Sequence, residues 1–221
     1  MNNWKAVVLV TAVVLLFCGA PVKADDPPVV LTFEGIGDDV AIGNFYNGGA
    51  GGSLGISFGP SALALVSTLS GGSGNFSNAP SGNTAAFFLT APDAFMDVAG
   101  GFTSGFSLFY SAPFVPATVT VWSGLDGTGT LLGTLSLPVN SASCPPIPAS
   151  CLWSPVGLSF AGTAESVDFS GSAGEVVFDN VTLGSATPGG TGPTTPTPEP
   201  ATLLLVGAGS IGLMWRRKKL A

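Results

Sequence analysis

An antiparallel β-sandwich of jelly-roll type, flanked by an N-terminal signal helix and a C-terminal transmembrane helix, is the fold class this sequence predicts. Three observations predict it. No long window between the two ends carries helical periodicity. Apolar residues instead alternate with a period of two, in short runs rich in β-branched and aromatic side chains, and clusters of Gly, Asn and Pro separate the runs. Each end pairs an apolar segment with bases. The six Lys and Arg side chains are Lys5, Lys23, Arg216, Arg217, Lys218 and Lys219, and none lies between Asp25 and Pro200.

The first element is the stretch "MNNWKAVVLVTAVVLLFCGAPVKADD". One base, Lys5, precedes an apolar run, and small side chains at Val22 and Ala24 suit a signal peptidase. Residues 1–24 read as a secretory signal peptide cleaved after Ala24. Cys18 follows Phe17, where a lipoprotein signal needs a small residue, so Cys18 leaves with the discarded segment.

Residues 25–184 form the sandwich domain. Strand candidates run at 29–33, 54–58, 62–67, 85–90 and 95–98. "GFTSGFSLFYSA" places Phe102, Phe106, Leu108 and Tyr110 on one face of an extended strand. "ATVTVWSG" sets Val119 and Val121 against Thr118, Thr120 and Trp122, and the turn Asp126-Gly127-Thr128-Gly129 makes a hairpin with "TLLGTLSL". There Leu131, Leu135 and Leu137 alternate with small or polar neighbours. "ESVDFSGSAGEVVFDNVTLG" gives two strands joined at Gly171-Ser172-Ala173-Gly174. About ten short strands at even spacing without an internal repeat read as a sandwich rather than a propeller or β-helix. Residues 185–197 are a Pro/Thr/Gly-rich linker, extended and solvated.

Composition narrows the chemistry. Charged residues are 9% of the chain, against roughly 25% in typical domains, so Ser, Thr, Asn and Gly must cover the surface. A mature domain without Lys or Arg cannot neutralise phosphates, which excludes nucleic acid as a partner. Without His there is no Ser–His or Cys–His pair and no imidazole metal ligand. Carboxylate, hydroxyl, amide and aromatic face remain, a set suited to hard cations and sugars. Beyond the signal peptide, Cys144 and Cys151 bracket "CPPIPASC"; in an oxidising compartment they are expected to form one local disulfide. Closing so short a loop is worth roughly 2.5 kcal/mol at most, because its prolines already restrict the unfolded chain.

The chain ends "PEPATLLLVGAGSIGLMWRRKKLA". The apolar segment 201–215 makes roughly 22 Å of helix, short of a ~30 Å hydrocarbon core, and carries Gly207, Gly209 and Gly212. With the bases at 216–219 held on the cytoplasmic side, Pro198, Glu199 and Pro200 sit at the outer membrane edge of the span. A marginal span with a rigid motif at its edge suits recognition and cutting. This tail, residues 198–221, resembles the PEP-CTERM sorting signal of Gram-negative bacteria. The resemblance implies transient insertion in the inner membrane, recognition by an exosortase (a membrane transpeptidase), and delivery to the cell surface or extracellular matrix. The stretch 44–65, with "FEG" before it and "VVFDNVTLG" near the end, is similar to PEP-CTERM secreted β-sandwich proteins of unassigned activity.

Glu34 follows the first mature strand and Asp179 lies in the last, and in a sandwich these strands often neighbour one another. A carboxylate from each, with Asn180 and backbone carbonyls, would suit a structural Ca²⁺ ion. The pair resembles the calcium site of carbohydrate-binding jelly-roll modules. Asp38-Asp39 is a second acidic cluster, read as solvated turn residues. Tyr46, Phe45, Trp122 and Trp153 are candidates for a sugar platform, since flat rings stack on pyranose faces. The expected function is therefore a non-enzymatic surface or matrix protein that contacts extracellular polysaccharide. A glycoside hydrolase with paired carboxylates is one alternative; Asp93 and Asp97 flank a short strand, and Glu165, Asp168 and Glu175 belong to a single hairpin. An adhesin or ice-binding surface protein is the other, for which the Thr118-Val119-Thr120 ladder is too short.

Overall fold

The computed structural model describes residues 27–140 and 150–189. The segment 1–24 read as a signal peptide, Cys144, residues 190–197 of the 185–197 linker and the tail with Pro198, Glu199 and Pro200 lie outside them. Among the described residues no helix is long and apolar enough to cross a membrane; both segments expected to do so fall outside that set.

Two antiparallel sheets face each other. The larger contains β1 (Val29–Leu31), β2 (Val40–Ala41), β6 (Ala62–Val66), β7 (Thr84–Phe88), β9 (Gly105–Ser111), β12 (Ser154–Ser159) and β14 (Val177–Leu183). Its order is β12-β9-β14-β7-β6-β2, with β1 also on β14. The smaller orders β11 (Leu131–Leu137), β10 (Ala117–Trp122), β13 (Ala164–Asp168), β8 (Phe95–Phe102) and β5 (Ile56–Phe58). A small hairpin, β3 (Asn47–Gly49) with β4 (Gly52–Ser53), stands apart. The fold is the all-β antiparallel sandwich the alternation predicts.

Inward-facing side chains of both sheets build one core. Phe88 and Phe169 stack with centroids 4.3 Å apart, and Phe178 meets Phe169 edge-on at 5.1 Å. In the smaller sheet Val119 and Val121 are fully buried, whereas Thr118 is exposed and Trp122 half-buried on the outer face, as the alternation requires. A second, smaller cluster lies on the outer face of the larger sheet. There Phe76, Ala85 and Val177 pack with Phe87 and Trp153 beneath the segment 67–83.

Three strand readings need correction. Phe102 closes β8 in the smaller sheet, whereas Phe106, Leu108 and Tyr110 sit in β9 of the larger one. The break falls at Thr103-Ser104, where Ser104 adopts φ 75, and period-two alternation does not register a change of sheet. For the same reason the segments around Glu165 and Glu175 are no hairpin: β13 and β14 belong to different sheets, joined by a turn of 3₁₀ helix at Ser170–Ser172. In β11 Leu135 and Leu137 face the core but Leu131 is exposed, because the register with β10 shifts between Val121 and Trp122. Strand β12 has no counterpart among the sequence candidates. It pairs with β9 alone in the sheet order, at an edge that tolerates its Pro155.

Candidate functional site

The first and last strands do neighbour one another: Val29 pairs with Leu183 and Leu31 with Val181. Strand β7 uses the same strand further along, Val177 with Phe87 and Phe178 with Ala86. Between these two partners lies a bulge. Asn180 adopts φ 47, and the register with β9 shifts between Asp179 and Thr182. The extra residue lets Phe178 and Val181, three apart, both reach the core. It also leaves Asp179 completely buried on the outer face, under the segment that leads into β7.

The Asp179 carboxylate accepts the Ser81 N–H and hydroxyl, each at 2.7 Å, and the Asn180 N–H at 2.7 Å. Burial pushes its pKa up to about 6, against the pull of those bonds, and the nearby Glu34 charge adds to the rise. Glu34 itself is exposed, and its Oε1 accepts the Asn83 and Thr84 N–H groups at 3.0 and 2.7 Å. Gly82, with φ +49, lies so close that any Cβ there would strike the Glu34 carboxylate. Tyr46 completes the cluster: its hydroxyl accepts the Phe33 N–H at 2.9 Å, holding a Phe that sits at φ 64. Burial pushes the Tyr46 phenol up to about 12, with the charges of Asp179 and Glu34 contributing.

The sequence thus pairs the right two carboxylates, but these residues do not fit a calcium ion. Ca²⁺ takes six to eight oxygen ligands, whereas here N–H and O–H donors point at the carboxylate oxygens, which is the place a cation would need. Among the described residues no group of three or more Asp, Glu, Cys or His could hold a metal. The pair is a latch that fastens residues 81–84 across the junction of β1 and β7. Asp38 works similarly, accepting the Val66 N–H at 2.8 Å and the Ser73 N–H at 2.9 Å. The Ser73 and Val66 bonds hold its carboxyl below the usual range. It is the exposed turn residue expected, and it also clamps the loop.

The four candidate platform rings do not form one surface; Phe45 is partly buried against the core beside Tyr46. Tyr46 is only 6% exposed, with its ring edge-on to Phe33 and Phe45, so it is a core residue and no sugar platform. Trp153 packs edge-on against Phe76 at 5.9 Å and donates from Nε1 to the Ser77 carbonyl; it roofs the smaller cluster. Trp122 remains half-buried on the outer face of the smaller sheet, where Leu131 and Ser166 flank it across the strands. Its Nε1 donates to Thr120 Oγ1 at 2.8 Å.

Sequence reasoning missed two features. The turn after β10 folds over the outer face of β13 and β8: the Asp126 N–H reaches Asp97 Oδ1 at 2.9 Å and the Gly127 N–H reaches Ser166 Oγ at 3.0 Å. Burial, together with the Asp126 charge, pushes the Asp97 carboxyl up. The second feature is a cleft of about 290 Å³ where the two sheets part beside β1 and β5, with Val29, Ile56, Val98 and Phe102 in its walls. No spacing signal marks either, because each joins segments distant in the chain.

Residues 196–218 match the family model described as the PEP-CTERM protein-sorting motif. The match covers the tail identified by its Pro-Glu-Pro, and such a motif marks a chain for export and sorting to the cell surface. No curated protein matches the chain. Among solved structures, the chain is similar to a carbohydrate binding module (CBM6cm-2) from Cellvibrio mixtus lichenase 5A in complex with cellotriose, at 14% identity and TM-score 0.37, covering 58% of this chain and 89% of that one. A β-1,3-glucan binding CBM6 from Bacillus halodurans is similar at 15% identity and TM-score 0.38, covering 56% and 84%.

Proposed function

We propose that this protein is an exported, non-catalytic component of the cell surface or extracellular matrix, and that its sandwich contacts polysaccharide there. The sorting motif at 196–218 carries the reading. A signal peptidase cuts after Ala24, the span 201–215 pauses in the inner membrane, and an exosortase acts near Pro198, Glu199 and Pro200. What leaves the membrane is then a body without a single base.

That charge pattern supports a class of partner. All thirteen Asp and Glu side chains lie between Asp25 and Glu199. Such a body repels nucleic acids and acidic polymers, and its hydroxyl- and amide-rich surface suits uncharged sugars. A disulfide between Cys144 and Cys151 belongs to the same reading, since the compartment is oxidising.

Intact-mass measurement of the exported protein, in cells with and without a sorting transpeptidase, tests the route. Loss of the tail only when the enzyme is present is the expected result; a full-length tail in both refutes it. Affinity electrophoresis through gels containing matrix polysaccharides tests the partner, and release of reducing sugar from the same polymers would instead reveal a hydrolase.

A further inference from the structure

We infer that the cleft beside β1 and β5 is a binding site for an uncharged sugar residue of a polysaccharide chain. The inference rests on the polysaccharide reading above and locates its contact surface. At about 290 Å³ the cleft is at the small end of the ~300–1,000 Å³ typical of small-molecule sites. That suits one residue or the end of a chain rather than a large ligand.

The walls divide in the way a sugar divides. Ile56 and Val98 face each other across β5 and β8 and are 1% and 5% exposed, so they form a dry floor. Phe102, half-buried beside them, offers a ring against which the C–H face of a pyranose can lie. At the rim Thr163 is exposed and brings a hydroxyl group that can both donate and accept. Glycines at 100, 101 and 184 leave backbone open to the cleft where side chains would close it. Among the described residues no Asp, Glu, Lys or Arg lines it. A charged ligand would therefore be desolvated without a partner, and an acidic one would also meet the repulsion of the base-free body.

Gly100 gives a clean way to close the site. It lies in β8 and lines the cleft, and a Cβ there would meet no atom within 4 Å. Its φ is not in the left-handed region, so Gly100→Trp fills the cleft without backbone strain. The Gly100→Trp, Gly100→Ala and Trp122→Ala variants and the wild type, all purified from exporting cells, are run through gels containing hydroxyethylcellulose, galactomannan, dextran or alginate. Retention of the wild type by a neutral polymer, at least tenfold weaker in Gly100→Trp but kept in Gly100→Ala and Trp122→Ala, is expected. Undiminished retention of Gly100→Trp, or loss only in Trp122→Ala, overturns the cleft site and leaves the polysaccharide reading standing. No retention by any polymer overturns both, and retention by alginate alone refutes an uncharged ligand. Methyl spectra of the wild type titrated with oligosaccharides of the retaining polymer give a second readout that does not depend on variants folding. Shifts at Val29, Ile56 and Val98 support the site, and unmoved methyls overturn it.

Discussion

Replacing Asp179 by Asn should remove a defined part of the pH dependence of stability. In the fold this carboxyl is wholly buried, and its pKa stands at about 6 against an ordinary value of 3.8. Burial is the main cause, and the adjacent Glu34 charge adds to it. The folded protein therefore holds the proton more tightly than the unfolded chain. Between about pH 4 and pH 6 it carries the proton that the unfolded chain has shed, so stability falls as pH rises through that window and levels off above it. The rise in pKa corresponds to about 3 kcal/mol at most. The substituted amide cannot ionise, so the variant should lack this slope. It also loses one acceptor for the Ser81 and Asn180 N–H groups, a pH-independent cost of about 1–3 kcal/mol. Asp97 is raised too and tilts both proteins in the same direction, so the difference between them isolates Asp179. Urea unfolding of wild type and Asp179→Asn at about pH 4, 5, 6 and 7 measures it. The difference should shrink with rising pH by up to the stated amount. A constant difference, or one that grows, would refute the assignment of a burial-dominated carboxyl.

Other outcomes follow from the same geometry. Tyr46→Phe leaves the buried Phe33 N–H without its acceptor and should cost about 1–3 kcal/mol in urea unfolding, with little effect on polymer retention. Gly82→Ala forces a Cβ into the Glu34 carboxylate at a left-handed φ; it should destabilise by more than about 1 kcal/mol and raise the proteolytic susceptibility of residues 76–83. Because N–H donors face the Glu34 and Asp179 oxygens, calcium and a chelator should give the same melting temperature; a clear rise with calcium would restore the metal site.

Much of the fold was legible because half-buried strands write their orientation into the sequence. The alternation at Val119, Val121 and Trp122 gave their faces correctly, and so did the adjacency of Glu34 and Asp179. What was hidden depends on tertiary context. The Pro and Gly of Ser154–Ser159 dilute any strand pattern, yet β9 supplies a partner and an edge position. The bulge at Asn180 leaves an offset that local periodicity cannot distinguish from a turn. Tyr46 read as a platform candidate because the backbone N–H that its hydroxyl accepts belongs to Phe33, thirteen residues away, and no local pattern reveals that contact.

The pairing of β1 with β14 has a consequence for timing. Residues 29–31, at the start of the sandwich, find their strand partners among 181–183, so the sandwich cannot close until nearly the whole body has been made available. A contact this distant in sequence is slow to form, and slowness is useful to a polypeptide threaded through a narrow translocation channel. On the proposed route, the chain would stay linear during passage and fold on the far side while its tail tethers it to the bilayer.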